Sequence, residues 1–163
     1  MLYSAEGQPR RLLTTGLNGV IIEWDLLSHG AKVKHSANAA IWCSKLVGKN
    51  LYLACEDGTI KMLKVKKEGI EMARQIMRSE SKCLSLEVSK DERFIFGGYA
   101  DSSIRKWSLE TLSCELHFVK QTKKAAARID SKGNECLIWT LKLVDGDVLF
   151  SGDSHGELTA WDT

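Results

Sequence analysis

The stretch that decides the fold is Leu12-Leu13-Thr14-Thr15-Gly16-Leu17-Asn18-Gly19-Val20-Ile21-Ile22-Glu23-Trp24-Asp25. A short apolar run leads into Asn-Gly, and a second apolar run closes on Trp-Asp. Asn-Gly supplies the positive φ of a tight hairpin turn, so two antiparallel strands joined at Asn18-Gly19 are predicted. The pattern returns three times: LYLACEDGTIKMLK from Leu51 to Lys64, FIFGGYADSSIRKWS from Phe94 to Ser108, and LFSGDSHGELTAWD from Leu149 to Asp162. Anchored on Trp24, Leu63, Trp107 and Trp161, successive units lie 39, 44 and 54 residues apart. Three residues before each anchor stands an aliphatic side chain: Ile21, Ile60, Ile104 and Leu158. Six before stands Asn18, Asp57, Asp101 or His155, and five before stands Gly19, Gly58, Ser102 or Gly156.

Other β-rich runs flank these hairpins. Ile41 to Val47, Cys83 to Val88 and Leu137 to Val144 precede the last three, and more polar runs near Ala31–His35, Ile70–Ile76 and Cys114–Val119 follow the first three. Each unit therefore reads as four short strands without the 3.6-residue period of a helix. Ile70–Met77 is helical by composition alone, but its place in the repeat predicts an outer strand. Four-stranded units of about 40–45 residues that end in Trp-Asp are the signature of WD-repeat propeller blades. Trp24-Asp25 and Trp161-Asp162 match it, Trp107-Ser108 keeps half, and Leu63-Lys64 keeps neither residue. The Gly-His dipeptide that opens many such repeats is absent, so their full Asp–His–Ser–Trp hydrogen-bond network cannot form. The expected fold is all-β: about four four-stranded blades at 1–36, 37–78, 79–119 and 137–163, with a basic inter-blade segment at 120–136. Blades of this kind usually close at around seven, which removes exposed strand edges. The expectation is a segment of a larger propeller, or else self-association of two copies through open edges at Met1–Ser4 and near Thr163.

The ordered set of Leu12–Leu26, Ile41-Trp42, Cys55 to Lys61, Cys83 to Leu86, Ile138-Trp139 and Ser151 to Gly156, with a basic loop before the Ile-Trp strand, resembles the cirhin family. The likeness is to the N-terminal propeller of that family, WD-repeat subunits of the small-subunit processome, and runs from about Leu2 to Asp162. It implies a role in early pre-18S rRNA processing in the nucleolus, with other WD-repeat processome subunits and pre-ribosomal RNA as partners. The sequence departs from the family in opening on an inner strand and in its Glu110-Thr111-Leu112 turn. A generic WD-repeat adaptor of a signalling or ubiquitin-ligase complex is the alternative reading, and a propeller hydrolase a remote one.

Composition sets bounds on function. The 163 residues carry 44% apolar and 27% charged side chains and a formal net charge of +2, the balance of a globular chain and not of a polyelectrolyte. No apolar run approaches the length of a membrane helix, so no membrane partner is expected. Five scattered cysteines without a Cys-x-x-Cys pair, and histidines outside zinc-ligand spacing, predict reduced thiols and neither metal nor cofactor. A marked charge focus is Lys120 to Lys132, where Lys120, Lys123, Lys124, Arg128 and Lys132 outweigh Asp130 to give +4. It reads as a contact for RNA phosphates or an acidic partner, against the alternative of a solvated loop. The segment lacks aromatics, so by itself it offers no base-stacking platform.

Trp24, Trp107 and Trp161, with Asp25, Leu63 and Asp162, are expected as structural anchors packed between blades. Trp42 and Trp139 stand at the start of inner strands near one end of the propeller. They are the candidates for a partner-facing role, with inter-blade packing as the competing account. Asp153-Ser154-His155 brings three catalytic residue types together, but neighbours in a turn do not converge as a nucleophile, base and orienting group. No catalytic residue is assigned, and the expectation is a protein without enzymatic activity.

Overall fold

The computed structural model describes residues 2–3, 11–67, 69–119, 136–145 and 148–163. Among them every regular element is a strand, and the strands form four separate antiparallel sheets. The first contains β1 (Leu2–Tyr3), β2 (Arg11–Thr15), β3 (Val20–Trp24) and β4 (Ala31–Ser36). The second contains β5 (Ile41–Val47), β6 (Asn50–Cys55), β7 (Thr59–Lys66) and β8 (Gly69–Arg78). The third contains β9 (Cys83–Val88), β10 (Phe94–Tyr99), β11 (Ser103–Ser108) and β12 (Cys114–Val119). The fourth contains β13 (Ile138–Val144), β14 (Val148–Asp153) and β15 (Leu158–Asp162). Each sheet is an up-and-down meander in chain order. The first strands of the last three sheets, β5, β9 and β13, neighbour one another in turn, as the inner strands of propeller blades do. Ile70–Met77 is strand, paired with β7 from Lys66↔Gly69 to Thr59↔Arg78. Cross-strand pairing outweighs the helical preference of its residues.

Strand alternation turns each sheet into a two-sided layer whose faces pack on its neighbours. Three apolar cores result, one at each sheet–sheet junction. Leu13 and Ile21 of the first sheet meet Leu51, Leu53 and Leu63 of the second. Ile60 and Ile76 of the second meet Leu86, Ile95 and Trp107 of the third. Phe96 and Ile104 of the third meet Ile138, Leu149 and Trp161 of the fourth. The repeat register thus has a physical meaning. The aliphatic three residues before the anchor faces the following sheet, and the anchor faces the preceding one. Ile21, Ile60 and Ile104 are at most 1% exposed, whereas Leu158, with no described sheet beyond it, is 73% exposed. By the same alternation Trp24 lies on the side of the first sheet turned away from the second and is only half-buried.

The hairpin turns repeat as well. Asn18, Asp57 and Asp101 each accept a hydrogen bond from the backbone N–H two residues on, through their side-chain oxygen. In the fourth sheet Asp153 takes that role, receiving the His155 and Glu157 amides. The residue five before the anchor has positive φ in all four units: Gly19 at 73°, Gly58 at 76°, Ser102 at 66° and Gly156 at 77°. At Gly58 the requirement is doubled, because a Cβ would run into the Ser79 carbonyl oxygen. Ser102 meets the same backbone demand with a side chain, and its buried hydroxyl has no hydrogen-bond partner among the described residues.

The anchor tryptophans retain one arm of the WD hydrogen-bond network. Trp24 donates its indole N–H to Thr14 Oγ1 at 2.9 Å, and Trp161 donates to Ser151 Oγ at 2.8 Å, each partner lying ten residues upstream. In the third sheet that position is Gly97, and the Trp107 N–H has no hydrogen-bond partner among the described residues. Tyr99 occupies the vacated space, its ring and hydroxyl 2.9 Å from where a Gly97 Cβ would stand. In the second sheet the pair becomes Leu53 and Leu63, both fully buried.

Candidate interaction surface at the inner-strand ends

The inner strands share an irregularity that sequence patterns do not show. Pairing in the second sheet jumps from Ile41↔Cys55 to Cys43↔Ala54, leaving Trp42 as an unpaired bulge residue. In the third it shifts between Tyr99↔Cys83 and Gly98↔Ser85, leaving Leu84. In the fourth it jumps from Ile138↔Asp153 to Thr140↔Gly152, leaving Trp139. A bulge re-aims the side chain it releases, and here three occur at one level of three successive inner strands. Leu84, on the middle strand, is buried, while Trp42 and Trp139 are 36% and 44% exposed. Their ring centroids lie 5.9 Å apart at an interplanar angle of 54°, although β9 runs between their strands. The result is a bipartite aromatic surface contributed by two sheets.

Close approach of the strands beneath depends on small side chains. Ser85 Oγ donates to the Ile138 carbonyl at 2.9 Å in a buried contact. A Cβ at Gly98 would collide with both Ser85 and Ile138. Beside the ring pair, Lys82 Nζ lies 2.6 Å from Glu56 Oε1. Lys82, with a smaller contribution from the Trp42 indole, holds the Glu56 carboxyl below the usual carboxylate range. Two more turn carboxylates at this end are matched by cations: Asp57 by Lys61 at 3.6 Å, and Asp101 by Arg105 at 2.9 Å.

Lys120, Lys123, Lys124, Arg128 and Lys132 lie outside the described residues. The described residues on either side locate where that segment leaves and rejoins the fold. Val119 pairs with Ser103, next to the β10–β11 turn, and Cys136 stands two residues before β13. Both are at the end that carries Trp42 and Trp139. Asp25 caps its own turn by accepting the Leu27 N–H at 2.9 Å. Asp162 is an exposed residue of β15 paired with Val148. Within Asp153-Ser154-His155, Asp153 Oδ1 accepts backbone amides and Ser154 Oγ accepts the Leu137 N–H, so these side chains build the turn.

Sequence reading missed a second feature of the inner strands. Lys45, Glu87 and Lys142 occupy one register position, opposite Tyr52, Phe96 and Phe150. Glu87 is buried, with Lys45 at 2.8 Å and Lys142 at 3.9 Å. The signal was a charged residue at the same offset in three inner runs, legible only once the strands are aligned by pairing.

Four meander sheets stacked through a repeating register, with inner strands adjacent and Trp anchors between them, define a partial WD-repeat β-propeller. Solved structures with this fold include the computationally designed Ika4 protein, at a TM-score of 0.67 and 17% identity over 99% of this chain and 88% of that one. The computationally designed Ika8 protein gives a TM-score of 0.71 at 17% identity over 99% of this chain and 45% of that one. No protein-family model matches the chain. In sequence, the chain is 28% identical to the U3 small nucleolar RNA-associated protein 4 of Saccharomyces cerevisiae over 169 aligned residues, 98% of this chain and 21% of that one. It is 29% identical to the homologue of that protein in Homo sapiens, over 98% of this chain and 23% of that one. The mouse homologue gives 29% over 94% and 22%. The chain thus spans about a fifth of the length of the curated relatives it matches.

Proposed function

We propose that this chain is a non-catalytic scaffold of small-subunit ribosome biogenesis, acting with other WD-repeat subunits in a nucleolar, U3-associated pre-ribosomal particle. The observation that carries this reading is similarity over 98% of this chain to part of proteins named for association with U3 small nucleolar RNA, on a propeller-like fold. The resemblance to the cirhin family supports the finer assignment to early pre-18S rRNA processing. The mechanism fits the architecture. Stacked sheets hold turns and inner-strand ends rigidly, and the outer faces at Leu158 and Trp24, on which no described sheet packs, offer surfaces for further sheets of the same kind. The segment Lys120–Lys132, with five cations to one carboxylate, is the proposed contact for RNA phosphates.

Affinity purification of the tagged protein from its own cells tests the assignment. Enrichment of nucleolar WD-repeat proteins together with U3 and pre-18S RNA is expected. A kinase or ubiquitin-ligase core in their place would refute it and favour an adaptor. The phosphate contact has its own test. Alanine at Lys123, Lys124 and Arg128 should weaken RNA binding and flatten its salt dependence, and an unchanged isotherm removes the segment from the mechanism.

A further inference from the structure

We infer that Trp42 and Trp139, with Glu56 beside them, form a docking site for an arginine side chain on a basic, partly apolar peptide segment of a protein partner. The site goes beyond the ribosome-biogenesis reading and does not rest on it. Large aromatic side chains in a β-propeller are ordinarily used up in the junctions between sheets, as Trp107 and Trp161 are here. Trp42 and Trp139 belong to none of the three cores. Each is released by a bulge in its own inner strand, each is about two-fifths exposed, and the two contact one another. Their 54° tilt leaves ring face on both for a planar group to stack on. Leu84, the bulge residue of the intervening strand, is buried, so all three bulge residues at this level are apolar. Leu17 extends the apolar surface. It is exposed in the β2–β3 turn, which the Ile41 N–H ties to the start of β5 through the Gly16 carbonyl.

Charge selects the partner. The described turns at this end, with the strand residues next to them, carry the carboxylates of Glu56, Asp57, Glu80, Asp101, Asp153 and Glu157 against four cations, Lys61, Arg78, Lys82 and Arg105. Two of those cations are turned away from solvent. Lys61 is buried and donates to the Ala37 carbonyl, and Arg105 lies 4.7 Å over the Tyr99 ring while bonded to Asp101. Glu80, by contrast, is exposed with no ion-pair partner among the described residues. At the ring pair itself the acceptor is Glu56, close enough to the Trp42 indole for that ring to help lower its carboxyl pKa. Its partner Lys82 is exposed, as Glu56 is, and an ion pair of that kind is worth little and exchanges readily. An incoming guanidinium suits the same carboxylate better, with two N–H groups for its two oxygens and a planar face for the rings. Tryptophan is also the aromatic on which a cation–π contact is strongest. Apolar residues beside that arginine would meet Leu17 and the remaining ring surface, the arrangement of an aromatic hot spot with a polar rim.

The experiment uses the purified chain with a fluorescein-labelled nine-residue peptide of arginine, leucine, glycine and serine, read by anisotropy and by tryptophan fluorescence. A counterpart with citrulline for arginine and a labelled oligouridylate serve as comparisons. The arginine peptide should bind, quench tryptophan emission and lose affinity as salt rises, while citrulline, which keeps the shape and loses the charge, should cost about 10-fold or more. Trp42→Leu and Trp139→Leu should each weaken binding by about 2- to 30-fold, the range for losing a cation–π contact. Trp42→Phe, which keeps a ring, should recover most of the affinity and serves to separate a lost ring from lost folding. Glu56→Gln should weaken binding by about 10-fold and flatten its salt dependence. Lys82→Ala supplies the sign. It removes the competitor for Glu56 and should tighten the arginine peptide by about 2- to 5-fold, whereas a site built for an anion would lose affinity. Wild-type affinity in a folded Trp42→Leu/Trp139→Leu double variant overturns the site. So does a wild-type chain that binds the arginine peptide no better than the citrulline one. Tryptophan-dependent binding of oligouridylate that Lys82→Ala weakens overturns it too, and assigns the surface to a polyanion.

Discussion

Replacing Ser102 with glycine should stabilise the protein, although it removes a side chain from a residue only 1% exposed. Ser102 stands where the other three units place Gly19, Gly58 and Gly156, and its φ of 66° lies in the left-handed region. A non-glycine residue there costs about 1–2 kcal/mol. Its hydroxyl is buried without a partner among the described residues, which adds about 1–3 kcal/mol of lost solvation. Glycine returns about 0.4–1 kcal/mol of this through the greater freedom of the unfolded chain. The low end of both gains against the full offset leaves about 1 kcal/mol, so Ser102→Gly is expected to stabilise by about 1–3 kcal/mol. The assay is urea unfolding followed by intrinsic fluorescence, where the midpoint should rise at constant slope. The reverse exchange supplies the control. Gly58→Ser places a Cβ against the Ser79 and Ser81 carbonyls at a φ of 76° and should destabilise by at least about 2 kcal/mol. If Ser102→Gly lowers the midpoint, or both exchanges act in the same direction, the equivalence of the four turns is wrong.

Three further outcomes follow from the packing. Ser151→Ala should cost about 1–2 kcal/mol in the same unfolding assay, because it strips the partner from the Trp161 indole N–H, and a neutral result would deny that hydrogen bond any weight. Among the thiols, Cys114 is exposed while Cys55, Cys83 and Cys136 are buried, and burial pushes the Cys83 thiol far above its ordinary range. Ellman's reagent should therefore label Cys114 first and Cys83 only on unfolding, and rapid labelling of Cys83 in the native protein would contradict its place in the core. The Arg11 guanidinium, bonded to Glu23 at 2.5 and 2.8 Å, holds that buried carboxyl below its usual range. A depressed carboxyl stabilises the fold above its unfolded pKa and loses that contribution as pH falls through the folded value. Arg11→Met should thus cost about 3 kcal/mol at pH 7, with the gap to wild type narrowing toward pH 3, and a pH-independent gap would refute the pairing.

The hairpins were legible because their signals are local. Asn18-Gly19 and Asp57-Gly58 state their turn geometry within two residues, and the spacing to Trp24 or Leu63 states the strand that follows. The outer strand β8 was legible only through the repeat, since Gly69–Arg78 alone has no strand signature. Trp42 and Trp139 could be singled out from their place after Ile41 and Ile138, but not their contact with each other, which joins residues 97 positions apart. The lysines around Glu87 went unnoticed for the same reason: each is an ordinary surface charge until pairing aligns three strands.

By itself the sequence determined the repeat, the all-β class, the turn positions and the identity of the anchor residues. These follow from side-chain alternation and from the φ preferences of single residues, which act over two to four positions. Tertiary structure alone decided what each conserved offset faces. It placed Ile21, Ile60 and Ile104 under the next sheet and left Leu158 in the open. It also let Tyr99 fill the space above Gly97, and brought two bulged tryptophans from separate sheets into one surface. Those outcomes depend on which sheet lies beside which, and on bulges that only pairing between strands can create.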